Sequence, residues 1–211
     1  MPTRNRAEMW RKSAESLGKR AEILVWIDED EPQMEAYLNH GLGEHVKNYI
    51  KPRVGYLNFH IMVNFLCEQA SGDWFLLWND DAVMETDDWC EKIERIDSKI
   101  PRVINFYAPE NFNHNLFPII SRSMYKAMGH YSQANHCDSW VQDIANKLRI
   151  HVPLFGIKAR HIRDEIEDDT KGQTQSVYSV SSPAYYNEEM KTKRDLDALK
   201  IYKHIFGDKC T

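Results

Sequence analysis

The chain predicts an α/β layer structure in which helices flank a mostly parallel sheet. Three observations predict it. Short β-rich runs alternate with amphipathic helical stretches along most of the 211 residues. Two of those runs end directly in acids: Ile23–Ile27 into Asp28, Glu29 and Asp30, and Phe75–Trp78 into Asn79, Asp80 and Asp81. No internal repeat or long linker interrupts the pattern. Ligands of open α/β sheets sit beyond the C-terminal ends of the strands, so parallel strands would bring both acidic ends to one crevice.

The elements follow in order. "AEMWRKSAESLGKR" places Trp10, Ala14 and Leu17 at i, i+4 and i+7, with Gly18 as the stop, which predicts a helix. "EILVWI" predicts a buried strand, "PQMEAYLNHGL" a short helix and "HVKNYIKP" a second strand. "GYLNFHIMVNFLCEQASG" carries Leu57, Ile61, Met62, Phe65, Leu66 and Ala70 on one helical stripe. "DWFLLWNDD" reads as a strand, "DDWCEKIERI" as a helix and "RVINFYA" as a strand. "FPIISRSMYKAMGHYS" starts extended and turns into a short helix before Gly129. "DSWVQDIANKLRI" has Trp140, Val141, Ile144, Ala145 and Leu148 at helical spacing, and "VPLFGIKARHI" is a late strand or strand pair. The stretch from "DEIEDDTKGQTQS" onward is polar and weakly patterned until a last helix around "EEMKTKRDLDALKIYKHIF". The expected division is one domain over 1–170 and a C-terminal extension over 171–211, whose terminal helix packs on that domain.

A composition of 42% hydrophobic and 28% charged residues is that of a soluble globular domain. The net charge of -5 argues against a basic nucleic-acid-binding surface, though not against a local patch. No apolar run reaches the length of a membrane span, and the first residues lack the apolar core of a secretory signal, so the expected location is cytoplasmic. Cys67, Cys90, Cys137 and Cys210 form no C-x-x-C pair and read as reduced thiols, most of them packing groups; Cys137, between His136 and Asp138, is the one candidate nucleophile.

Asp80 and Asp81 repel each other unless a cation offsets the charge. A hard divalent ion does so with oxygen ligands and keeps positions open for phosphate oxygens. A departing diphosphate needs such an ion, because its charge grows as the bond breaks. A solvated turn is the plain alternative for an isolated Asp-Asp pair.

Several segments together resemble family 2 glycosyltransferases of the GT-A fold. "PTRNRAEMWRKSAESL" resembles the segment that follows the family's first strand, and "VWIDEDEP" its second strand with an acidic end. "LLWNDDAVMETDDW" resembles the metal-binding acidic motif, in a variant with two adjacent aspartates. "IISRSMYKAMGHYS" and "HCDSWVQDIANKL" resemble the acceptor side, and "IKARHIRDEIEDDT" the late histidine of the metal site. The pieces stand in the family's order over residues 2 to 170. Two departures accompany them: Asn79 replaces a further acid, and the family's first strand, expected ahead of Pro2, is missing from the sheet.

The resemblance implies a GT-A, Rossmann-like sheet and transfer of a sugar from a nucleotide diphosphate, with UDP expected, to a hydroxyl acceptor with inversion. It implies Mn²⁺ or Mg²⁺ held by Asp81 and His161. Asp80 would contact the ribose or a second metal position. Thr3, Arg4 and Arg6 would lie at the mouth of the nucleotide pocket, and Asp28 and Asp30 would receive base and ribose. Asp138 would be the general base, although a residue opening a helix can equally be its cap. Asp143 lies about 140° around the same helix and cannot face the same point. Asp87 and Asp88 read as N-terminal helix acids, Trp140 as core, and Ser121, Arg122, Gly55 and Asn58 as site or plain loop. His114 and His136 lack support as ligands. The alternative is a non-catalytic or truncated sugar-nucleotide-binding protein. A nucleotidyltransferase ranks lower, because no glycine-rich phosphate loop with lysine is present.

Overall fold

The computed structural model describes residues 1–109, 115–162 and 170–207. His114 and Cys210 lie outside the described residues. In chain order come β1 (Pro2–Thr3), α1 (Ala7–Ser16), β2 (Ile23–Asp28), α2 (Met34–Leu38) and β3 (Val46–Lys51). A 3-10 turn (Tyr56–Asn58) leads into α3 (Phe59–Gln69), then β4 (Trp74–Leu76), β5 (Ala82–Met84), α4 (Trp89–Glu94) and β6 (Val103–Tyr107). The rest is β7 (Ile119–Ser121), α5 (Arg122–Met128), α6 (Cys137–Leu148), β8 (His151–His161), α7 (Thr170–Tyr185) and α8 (Glu188–Phe206).

The expectation of one mostly parallel sheet holds for only part of the molecule. A three-stranded sheet, β1-β2-β3, is parallel throughout. A five-stranded sheet, ordered β4-β7-β6-β8-β5, is mixed. In it β4–β7, β6–β7 and β5–β8 are antiparallel, and β6–β8 is parallel. Parallel pairing demands a long crossover, usually a helix. No helix separates β4 from β5, or is described between β6 and β7, so alternation with helices could not report on those strands. On the edge of β2 away from β3, β1 pairs through Pro2 and Thr3 with Trp26 and Ile27.

Alternation along β2 sets the layers. Ile23, Val25 and Ile27 pack with Trp10, Ala14 and Leu17 of α1 and its C-cap and with Trp89 and Ile93 of α4. Leu24 and Trp26 face the other way, onto Met62 and Leu66 of α3. The stripe predicted for α3 is therefore shifted. Met62, Val63, Leu66 and Cys67 are buried, while Leu57 and Ile61 are close to half exposed. The reason is that α3 covers two surfaces. Met62 and Leu66 meet β2, and Val63 and Cys67 join the core under the second sheet with Phe75, Leu77, Met124 and Trp140.

Gly18, with φ at +73°, ends α1 as predicted. The "DWFLLW" run contains only a three-residue strand, although Leu77 and Trp78 beyond it are still buried. Residues 170–185 are helical where the sequence pattern was too weak to show it, with Pro183 inside the helix. The terminal helix α8 buries Ala198 and Ile201 against the core that holds Trp140 and Ile144. No helix among the described residues is long and apolar enough to cross a membrane.

Trp10 is fully buried and meets the rings of Tyr37 and His40 at 5.2 and 5.3 Å between centroids. Trp10→Ala is expected to cost about 3–5 kcal/mol, read as a lower urea midpoint with the slope unchanged. A cost below about 1 kcal/mol would show that α1 is not anchored by this side chain.

Candidate active site

The segment Thr3–Arg6 joins the two acidic strand ends. Arg4 Nη1 donates to Asp30 Oδ1 at 2.7 Å and to Asp28 Oδ2 at 3.3 Å. Arg6 Nη1 donates to Asp80 Oδ1 at 3.2 Å and to Asp81 Oδ2 at 3.3 Å. Asn5 stands between them with φ at +54°, a left-handed conformation that asparagine adopts more readily than most residues. That kink sends one guanidinium to each acid group.

Three side chains, two from the turn after β2 and one from α2, hold this segment. Both Glu31 carboxylate oxygens accept from the Asn5 amide, at 3.1 and 3.0 Å, and Oε1 also accepts from the Gln33 amide at 2.9 Å. The Tyr37 hydroxyl accepts from the Arg6 amide at 3.0 Å, and Gln33 Oε1 accepts from the Ala7 amide at 2.8 Å. Three successive N–H groups at the start of α1, which no helical carbonyl can satisfy, are thus paired. The Thr3 hydroxyl donates to Asp80 Oδ2 at 2.8 Å. Its one proton is committed there, so the Tyr37 hydroxyl, 2.9 Å away, donates to Thr3. Glu31, Gln33 and Tyr37 were missed from sequence. Glu31 looked like one more acid in a turn, and only its burial at 5% exposure marks it out.

Asp81 and His161 stand 80 positions apart in sequence, and the β5–β8 ladder brings them together. Ala82 is registered opposite His161, and the Ile162 amide donates to the Asp81 carbonyl at 2.7 Å. His161 Nε2 then lies 2.8 Å from Asp81 Oδ1, with both side chains largely buried. The Phe117 ring packs on the imidazole at 5.9 Å between centroids. Burial, then the neighbouring charge of Asp81, pushes the Asp80 carboxyl up to about 6, against the pull of Arg6 and Thr3.

Among the described residues no group of three or more His, Cys, Asp or Glu side chains is arranged to hold a metal ion. The structure assembles a set of two, Asp81 and His161, with Asp80 turned toward Thr3 and Arg6. One carboxylate and one imidazole suit a divalent cation that draws its remaining ligands from phosphate oxygens or water.

Asp28 is buried and accepts from Trp26 Nε1 at 3.1 Å, while Asp30 is exposed and also meets Arg53 at 3.5 Å. The hydrogen bond from Arg4 holds the Asp30 carboxyl below its usual range. Asp138 lies in the first turn of α6, half-buried, with His136 rather than Asp138 at the cap position. The Ser139 amide donates to Asp138 Oδ1 at 2.8 Å. One turn on, Gln142 Oε1 accepts from the Asn115 backbone amide at 2.9 Å and Gln142 Nε2 donates to the Asn115 carbonyl at 2.8 Å. Phe117, two residues beyond Asn115, is the ring on His161, so a short segment ties this end of α6 to the histidine.

The remaining candidates have structural partners. Asp143 pairs with the Tyr185 hydroxyl and Arg194, on the side of α6 that faces the C-terminal helices. His136 contacts Ser181 at 3.0 Å, and burial pushes the Cys137 thiol well up, which suits packing and not nucleophilic attack. Ser121 caps α5 by accepting from the Met124 amide, and Arg122 donates to the Ala70 and Gly72 carbonyls at the end of α3. Gly55 supplies the positive φ ahead of the 3-10 turn, and Asn58 bonds back to the Val54 carbonyl. Asp88 stands at the start of α4 and pairs with Lys92.

No protein-family model matches this sequence, and no curated protein does. The structure is similar to that of the mannosyltransferase PcManGT from Pyrobaculum calidifontis, solved in complex with GDP-Man and Mn²⁺. The TM-score is 0.64 at 11% identity, over 96% of this chain and 72% of that one. The chain therefore shares the fold of that enzyme.

Because the Asp80 carboxyl sits near 6 when folded against an ordinary 3.8, the folded state binds the extra proton between those values. Stability from this group is then present at low pH and falls as pH rises through about 4 to 6. Asp80→Asn removes that dependence. In chelator, the mutant's stability relative to the parent should rise by on the order of 2 kcal/mol between pH 4 and pH 7, from urea titrations. A difference independent of pH would place the carboxyl at its ordinary value.

Proposed function

We propose that this chain is a glycosyltransferase that moves a sugar from a nucleoside diphosphate sugar to a hydroxyl acceptor, with Mn²⁺ as its ion. The single observation that carries the proposal is the pairing of Asp81 with His161 at 2.8 Å, beside Asp80 and Arg6, in a fold shared with a mannosyltransferase. The sequence motifs that resemble family 2 enzymes fall on these same residues. A guanine nucleotide is the first donor to try, since the structural neighbour carries GDP-Man, and UDP sugars follow.

Each residue has a role in this reading. Asp81 and His161 would hold the ion, whose chemistry would be to offset the charge that grows on the departing diphosphate. Arg4 and Arg6 offer planar forks to phosphate oxygens, and their present carboxylate partners keep them pre-aimed at the crevice. Asp28 and Asp30 receive base and ribose, and Asp80 a ribose hydroxyl, with Thr3 fixing the Asp80 carboxylate. Asp138 takes the proton from the acceptor hydroxyl as that oxygen attacks the anomeric carbon. The bond from that carbon to the phosphate oxygen breaks on the opposite face, and the electron pair leaves with the diphosphate. The configuration inverts.

A second reading, a sugar-nucleotide binder without turnover, draws on the division of the sheet into two. Screening GDP-, UDP- and TDP-sugars for hydrolysis with and without Mn²⁺ separates the two readings. Ion-dependent release of the nucleotide supports the enzyme, and tight binding with no release supports the binder.

Asp81→Ala is expected to abolish ion-dependent donor binding in a calorimeter with the fold intact by circular dichroism; unchanged binding would remove Asp81 from the ion site. Asp138→Asn should leave the donor dissociation constant within about twofold and lower transfer by about 10²–10⁴-fold. Full turnover in that variant would end its assignment as base.

A further inference from the structure

The helix that carries Asp138 is held by the C-terminal helices from the side away from the site. His136, Trp140, Asp143 and Lys147 stand at i, i+4, i+7 and i+11 of α6 and its cap, which makes one stripe. At ~100° per residue, that stripe lies roughly opposite Asp138 and Gln142. Each of its members has a polar partner on α7 or α8. His136 Nε2 lies 3.0 Å from Ser181 Oγ. The Asp143 carboxylate takes the Tyr185 hydroxyl at 2.8 Å and Arg194 at 3.3 Å. Lys147 pairs with Asp195, and Trp140 Nε1 donates to Asp197 Oδ2 at 3.2 Å.

Asp197 is the partner that packing alone does not explain. It has no exposed surface, and Ala198 and Ile201 beside it on α8 belong to the core. A buried carboxylate is costly, and an apolar side chain would fill the same place at less cost. Four polar side chains converge on this one. Besides Trp140, Oδ2 meets Gln133 Nε2 at 3.2 Å and His130 Nε2 at 3.1 Å, and Oδ1 meets Lys200 Nζ at 2.9 Å. Burial raises the Asp197 carboxyl, but the hydrogen bonds from His130 and Lys200 outweigh it and hold the group below its usual range. His130 and Gln133 belong to the connection between α5 and α6, which ends at the cap residue His136. One carboxylate of α8 thus ties down both the chain entering α6 and the first turn of that helix. Asp138 lies between the two tethers.

We propose that Asp197 is a positioning residue: from α8 it fixes the first turn of α6, so that the C-terminal helices govern where Asp138 meets the acceptor. The inference rests on the role given to Asp138 in the proposed sugar transfer. On the other side of α6, Gln142 is fixed by Asn115, in the segment that leads to Phe117 and His161. The helix is therefore tethered to the ion side along one edge and to α8 along the other. A satisfied polar network specifies one arrangement where apolar packing alone admits several. A reacting base needs that definition, because a misplacement of ~1 Å costs on the order of 10²-fold in rate.

The test uses the full chain and two variants. Asp197→Asn turns one acceptor oxygen into an N–H donor facing the groups it served. Trp140→Phe keeps a ring in the core and deletes the donor on α6. In each, amide exchange in Asp138–Gln142 should speed by about tenfold or more, with Ile23–Asp28 within about twofold of the parent. GDP-Man or UDP-glucose, whichever the parent hydrolyses with Mn²⁺, should bind within about twofold of the parent's dissociation constant, while hydrolysis slows by about 10–10²-fold. Lys147→Met, at the exposed far end of the stripe, should leave exchange and hydrolysis at the parent's values. Should Asp197→Asn not fold by circular dichroism, Trp140→Phe decides alone. Unchanged exchange in Asp138–Gln142 overturns the tether, and faster exchange with full hydrolysis overturns its bearing on Asp138. An equal effect of Lys147→Met marks general loosening of the helix and overturns the assignment to Asp197. If the parent hydrolyses neither sugar nucleotide, the sugar-transfer reading fails by itself, and the exchange measurement still upholds or overturns the hold of Asp197 on α6.

Discussion

Two carboxylates on consecutive residues, largely withdrawn from water, set the problem that the surrounding structure solves. Asp80 and Asp81 repel each other, and burial removes the water that would otherwise screen them. Each then needs its own partners. Arg6 reaches both, Thr3 serves the far oxygen of Asp80, and His161 takes the far oxygen of Asp81. These partners come from the first six residues and from the end of β8, so the acid pair draws the two ends of the fold onto the middle of the chain. A cluster with cationic and imidazole partners already in place is also one that a cation and a phosphate could enter by exchange, the guanidinium passing from carboxylate to phosphate.

The geometry of Arg6 depends on groups that never touch the acids. At the turn, the Asn5 amide donates to both oxygens of the buried Glu31 carboxylate. Tyr37 then holds the Arg6 amide and, through Thr3, is linked to Asp80. An isolated buried carboxylate is costly, whereas one that accepts backbone N–H groups at a helix start is favoured by both hydrogen bonding and the helix dipole. The same residues that cap α1 thus aim the guanidinium at its site. Support of this kind spends hydrogen bonds on position, which a reacting centre needs more than it needs flexibility.

Much of this was legible in the sequence, and the failures have physical causes. Periodicity located α1, α3 and α6 because each buries a stripe against a sheet, and β2 because it is apolar on both faces. The acid pairs at the ends of β2 and of the "WFLLW" run stood out because charge directly after a buried strand is unusual. His161 was placed beside Asp81 by motif order alone. Spacing along the chain carries no information about an antiparallel ladder between β5 and β8, and β5 is too short to show a period. Glu31 and Tyr37 were illegible for a similar reason. Their roles lie in hydrogen bonds to backbone, which any acid or any tyrosine could make. The stripe on α3 was misjudged because a helix wedged between two cores buries neighbouring residues, such as Met62 with Val63 and Leu66 with Cys67, instead of one row.

The mixed sheet, which the alternation of strands and helices did not predict, is what makes the Asp81–His161 contact possible. β8 is long enough to do two things. Its first residues pair in parallel with β6, and after a register break opposite Phe106 and Tyr107 its last residues pair antiparallel with β5. In an antiparallel ladder the residue opposite Ala82 is fixed, and side chains alternate between faces. A slip of one position would turn His161 to the other face of the sheet and bring Arg160 or Ile162 toward Asp81. The apolar anchors on either side, Ala159 and Ala82 in the core and Phe117 against the imidazole, set that register. The contact on which the proposed chemistry depends is therefore specified by packing at its neighbours and not by the two residues themselves.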